Sequence, residues 1–132
     1  MTDIRYGGGC ACGALRYEVR AAPRLSLHCQ CRQCQRATGS GHASLLVLSK
    51  ADVTLSGELR YYDQLADDGS TVSRGFCPHC GSPVAGRSSG YPELIMLTAA
   101  SLDDPTRFEP QQVVWSASAQ PWDFLDPALP RA

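Results

Sequence analysis

A chain of 132 residues with 43% hydrophobic and 19% charged residues has the composition of an ordinary globular protein and suits a single domain over residues 1–132. Its formal net charge of −1 offers nothing to a nucleic acid or to an anionic membrane surface as partner. The longest apolar run, residues 45–48, is far too short to span a bilayer, and residues 1–6 lack the shape of a signal peptide, so the expected location is the cytoplasm.

Taken in chain order, the pattern is mostly of period two. Gly7, Gly8 and Gly9 lack the Lys-Ser/Thr that a phosphate loop needs, and read as room for a close approach to the first cysteines. Leu15, Tyr17 and Val19 alternate with Arg16, Glu18 and Arg20, as in a half-buried strand. Residues 32–38, closed by Gly39, suit a short helix. Residues 43–48 read as a buried strand, and residues 58–62, 71–76, 93–99 and 112–117 as further strands. Gly57, Gly69, Pro83, Gly90, Pro92 and Pro105 punctuate them. Trp115 falls in a strand pattern and is expected in the core. Residues 121–130 read as an irregular tail packed back on the body, with Trp122 packing there too. Many short strands and at most short helical turns make a mainly β fold.

Seven cysteines fall in three tight groups: Cys10 and Cys12; Cys29, Cys31 and Cys34; Cys77 and Cys80. In a reducing compartment such clusters bind metal or catalyse more often than they form disulfides, and an odd number cannot all pair. Cys10-x-Cys12-Gly13 and Cys77-x-x-Cys80-Gly81 are two knuckles, each closed by a glycine that permits a left-handed turn. Brought together, they supply four thiolates to one zinc ion and tie distant parts of the chain into a cross-link. His79, inside the second knuckle, reads as an exposed spacer.

Cys29, Cys31 and Cys34 supply three thiolates from one short segment, and no eighth cysteine completes a tetrahedron. Three protein ligands and an open position are the arrangement of a catalytic zinc, able to take a thiol as thiolate or to polarise a carbonyl. His28 or His42 can instead close the site, and a single zinc elsewhere would leave this trio as a redox-active thiol cluster. Arg32 and Arg36 flank the trio and are candidates to hold an anionic substrate, because guanidinium pairs well with carboxylate. Besides a zinc enzyme, the pattern admits a non-catalytic zinc module and a thiol redox sensor.

In order, the chain carries G-x-C-x-C-G, then C-x-C-x-x-C followed by QRATGS, then SGEL, then RGFCPHCGS, then LDDP, and finally Pro121-Trp122. This set resembles the glutathione-dependent formaldehyde-activating family, which includes centromere protein V, over almost the whole chain. The resemblance implies a small Mss4-like β fold with two zinc ions. It implies a structural zinc on Cys10, Cys12, Cys77 and Cys80, and a catalytic zinc on Cys29, Cys31 and Cys34. It also implies a carbon–sulfur lyase that joins glutathione, or a similar thiol, to formaldehyde or another small aldehyde. Two positions depart from the pattern of many members: Gln30 stands in place of a histidine, and His42 in place of an aromatic residue.

Overall fold

The protein is described by a computed structural model over residues 5–132; residues 1–4, part of the segment read for a targeting shape, lie outside it. Strands dominate. In chain order they are β1 (Tyr6–Gly9), β2 (Arg16–Val19), β3 (Leu25–Cys29), β4 (Ala43–Ser49), β5 (Val53–Ser56), β6 (Arg60–Leu65), β7 (Thr71–Phe76), β8 (Pro83–Ser88), β9 (Leu94–Thr98) and β10 (Gln112–Val114). Among the described residues one α-helix, α1 (Arg32–Thr38), joins β3 to β4, and the remaining helical pieces are single 3-10 turns. The mainly β expectation is met.

The strands form two sheets. β1, β2 and β5 make a small antiparallel sheet, and the larger sheet runs β10-β3-β4-β9-β8-β7-β6. The two faces of the larger sheet have different fates because side chains alternate. On β4 and β9, Leu46, Leu48, Ile95 and Leu97 turn inward, where they join Leu15 and, from β2, Tyr17 and Val19 in the main core. This is sheet-on-sheet packing, and it accounts for the period-two pattern of both segments. On the other face lies a smaller cluster of Leu27, Cys29, Cys34 and Ala43. The seven residues of α1 cover that face only at its β3–β4 end.

Several elements differ from the sequence reading, each for a tertiary reason. β1 and β8 are glycine- and proline-rich, yet each is stitched into a ladder, β1 to β2 and β8 to both β7 and β9. A side chain at Gly8 would collide with the Tyr17 hydroxyl and the Ser101 carbonyl, so the glycines serve close packing onto β2 rather than onto the cysteines. The strand expected at residues 58–62 lies at Arg60–Leu65, shifted by its pairing with β7. Trp115 is not core. β10 stops at Val114, Trp115 takes a left-handed φ of 56°, and its side chain is 55% exposed. Trp122 is likewise exposed rather than packed. The tail around it does return to the body: Val113 accepts from Ala132, and Gln120 donates to Gln35.

Candidate metal centres

The first centre joins the β1–β2 turn to the β7–β8 turn. Cys10 and Cys12 follow β1, and Cys77 and Cys80 follow β7. Gly13 at φ 82° and Gly81 at φ 77° take the left-handed conformation that closes each knuckle. Their amides donate to the carbonyls of Cys10 and Cys77, at 3.2 and 2.8 Å. The amide of Leu15 reaches the Cys10 sulfur at 3.2 Å, and that of His79 reaches the Cys77 sulfur at 3.4 Å. Ser82 fastens the two knuckles together: its hydroxyl accepts from the Ala11 amide at 3.0 Å and lies 3.2 Å from the Cys80 sulfur. That hydroxyl is the main reason the Cys80 thiol is held down at about 5, as a thiolate at neutral pH.

The four sulfur ligands lie within 4.8 Å of one another. Cys10 and Cys12 sulfurs are 3.6 Å apart, and Cys12 and Cys77 sulfurs 3.8 Å apart. Four thiolates about 2.3 Å from a zinc ion have sulfur–sulfur edges of about 3.8 Å. The cluster therefore already has the size of a zinc tetrahedron.

The second group sits where β3 runs into α1. Cys29 ends β3, Cys31 caps the helix, and Cys34 lies in its first turn. The Cys31 sulfur accepts from the Cys34 amide at 3.3 Å, an N-cap bond made by sulfur in place of oxygen. The three sulfurs lie within 4.8 Å of one another, and among the described residues no histidine nitrogen or carboxylate oxygen joins them. Hydrogen bonds from Cys29 and then Cys34 hold the Cys31 thiol far below its ordinary range, while bonds to Cys31 and then Cys34 push Cys29 up.

His28 and His42, weighed as a fourth ligand, are engaged elsewhere. His28 shares its Nδ1 with the Ser44 hydroxyl at 2.8 Å, and its ring meets His42 and Phe108 edge-on. His42 Nδ1 pairs with Asp123 at 2.9 Å. The same carboxylate accepts from the amide of Gln30, 3.0 Å away, between the first two cysteines of the trio. Buried Gln35 donates to the carbonyls of Gln30 and Ser118, both at 2.9 Å. The C-terminal tail thus braces the trio through Asp123, Ser118 and Gln120. Gln35 opens the QRATGS run but was not singled out as a site residue, and Asp123 has no motif that would have marked it in the sequence.

Beside the trio, the larger sheet's uncovered face forms a groove of about 350 Å³. Leu45, Val72, Phe76 and Met96 contribute an apolar floor, and Gly86 leaves it flat at the centre. Arg36 stands on its α1 side and Arg74 rises from β7. Arg74 connects groove and trio: its Nη2 lies 3.7 Å from the Cys34 sulfur, and its Nε donates to Gln64 at 3.1 Å. The sequence reading missed Arg74 because only tertiary pairing brings β7 there. Arg32 donates to the Gln35 side chain at 3.1 Å and is not among the groove's lining residues.

Against known proteins, the profile of a family described as "Glutathione-dependent formaldehyde-activating enzyme" matches residues 5–118. No curated protein matches the chain. Among solved structures, a crystal structure of a Rhodobacter sphaeroides protein from a structural genomics programme is similar in fold. It has a TM-score of 0.58 and 24% identity, over 74% of this chain and 87% of that one.

Proposed function

The chain belongs to the glutathione-dependent formaldehyde-activating family, and from that premise we propose that it is a zinc enzyme adding a thiol to a small aldehyde. Its substrates are glutathione, or a similar thiol, and formaldehyde or a related aldehyde. The reverse direction makes it a carbon–sulfur lyase. Both cysteine groups hold zinc, two ions per chain: Cys10, Cys12, Cys77 and Cys80 as a structural site, and Cys29, Cys31 and Cys34 as the reaction centre. When bound at the trio, zinc supplies a Lewis acid that favours thiolate over thiol.

The chain's own residues do the rest. Arg36 and Arg74 hold a carboxylate of the thiol compound, since the groove's lining includes both guanidiniums and no acidic side chain. Arg74 also offsets the charge that three thiolates concentrate around Cys34. Arg32 acts one step back, keeping Gln35 in place under the trio. In the reaction a sulfur–carbon bond forms, the carbonyl π pair moves onto oxygen, and the proton lost by the thiol ends on that oxygen. The gain comes from proximity and from the thiolate. Seven free thiols suit a reducing compartment such as the cytoplasm, and among the described residues no helix is long and apolar enough to cross a membrane.

One observation carries this reading: a three-sulfur group without a fourth protein ligand among the described residues, joined by Arg74 to a cationic groove. Exchange NMR of glutathione with formaldehyde tests it, because the uncatalysed reaction is the background. Zinc-loaded protein accelerates the exchange; equal rates with and without protein remove the proposal.

A further inference from the structure

The groove is larger and more apolar than a one-carbon aldehyde can use. Its position follows from register. Met96 pairs with Gly86, Gly86 with Arg74, and Arg74 with Tyr62, so all four share the face opposite the main core. Leu45 pairs with Thr98 on the same face. Because α1 is only seven residues long, it leaves this strip bare. The floor therefore stays half-buried, with Leu45, Val72, Phe76 and Met96 beneath an open trough of about 350 Å³. A contiguous apolar trough with a few convergent polar groups is the usual form of a small-molecule site. Glutathione is polar, and formaldehyde covers almost none of this floor.

Resting on the thiol–aldehyde reading above, we infer that the second substrate is an aldehyde with an apolar chain of several carbons, laid along this floor. Arg36 and Arg74 fix the carboxylates of the thiol partner, and neither guanidinium pairs with a carboxylate among the described residues. Arg74 sets the direction: one end of the trough is tied to Cys34, and the chain extends from there across Gly86. The reaction balances as R–SH plus R′–CHO giving R–S–CH(OH)–R′. The sulfur–carbon bond forms, the carbonyl π bond breaks, and the thiol proton ends on the new hydroxyl.

S-hexylglutathione and S-methylglutathione are stable thioethers that mimic adducts of a long and a one-carbon aldehyde. Calorimetric binding to the zinc-loaded protein is expected to favour the hexyl compound by at least about tenfold, as apolar burial dictates. Gly86→Leu fills the trough. A Cβ there meets only the Ser73 carbonyl at 3.5 Å and the Met96 methyl at 3.7 Å, so the larger residue is tolerated. This variant and Met96→Asp are expected to erase the hexyl preference, with fold checked by circular dichroism. Equal affinities in the wild type, or tighter binding of the methyl compound, overturn the inference even if that variant misfolds. Formaldehyde exchange that is still accelerated in that case leaves the parent reading standing; loss of acceleration as well removes both.

Discussion

Arg74 Nη2 lies 3.7 Å from the Cys34 sulfur, although the two residues are 40 positions apart in the chain. β7, the strand next to the β6 edge of the larger sheet, thereby places a fixed positive charge beside the trio at the start of α1. Charge-assisted contacts of this kind orient a ligand and offset repulsion among thiolates.

Removing that charge is expected to weaken the trio's metal affinity. Arg74→Met lowers it by about 10–100-fold, the usual cost of losing such a supporting contact. Arg74→Lys recovers part of it, since the charge returns without the fork. Competition with a chromophoric chelator reads both, and the four-cysteine site serves as internal control. An affinity within about twofold of wild type would remove Arg74 from the account.

The two cysteine groups are expected to fail differently. Cys77 is 1% exposed and its sulfur lies 3.8 Å from that of Cys12, so the first centre fastens two ends of the fold. Structural zinc contributes about 10–16 kcal/mol in small zinc domains, more than most domains have in reserve. Cys77→Ser therefore yields unfolded or aggregated protein. Cys31→Ser loses one metal and keeps its circular dichroism spectrum. The opposite order of damage would reverse the two roles.

The cysteine groups were legible because metal knuckles are written in short spacings, and both four- and three-sulfur sets assemble as the spacings suggest. The α1 helix and the Leu46–Leu48 strand pattern were legible for the same local reason. The groove was not. It depends on β7 and β8 lying side by side, and Pro83 at the start of β8 reads as a turn residue without its neighbours. The strand expectation for Trp115 failed because pairing stops one residue earlier, at Val114. Asp123 was invisible because its partners Gln30 and His42 are more than 80 positions away.

The His28 ring gives a pH prediction. Burial, and then the neighbouring His42, hold its imidazole below the ordinary histidine range. Its folded pKa thus lies below the unfolded value of about 6.5. Between those values the unfolded chain binds more protons, so stability falls as pH drops through about 6.5 and levels off below the folded pKa. The C–H resonance of His28 in an NMR titration is expected to show a midpoint below 6.5, and a midpoint above it contradicts this packing.

Asp123 tests the tail's role. Its carboxylate is 8% exposed and accepts from both Gln30 and His42. Asp123→Ala leaves two donors without an acceptor, at a cost of about 1–3 kcal/mol. A lower denaturant midpoint with faster alkylation of Cys31 is expected. Unchanged values for both would mean that the tail does not brace the trio.

Diffraction at the zinc absorption edge, from crystals grown with glutathione, addresses the account's central claim most directly. Two anomalous peaks per chain are expected, one enclosed by Cys10, Cys12, Cys77 and Cys80. The other should be held by Cys29, Cys31 and Cys34, with its fourth position taken by the added thiol on the side of Arg74. A second peak whose fourth ligand is a nitrogen of His28 or His42, or a lone peak shared between the two groups, would contradict it.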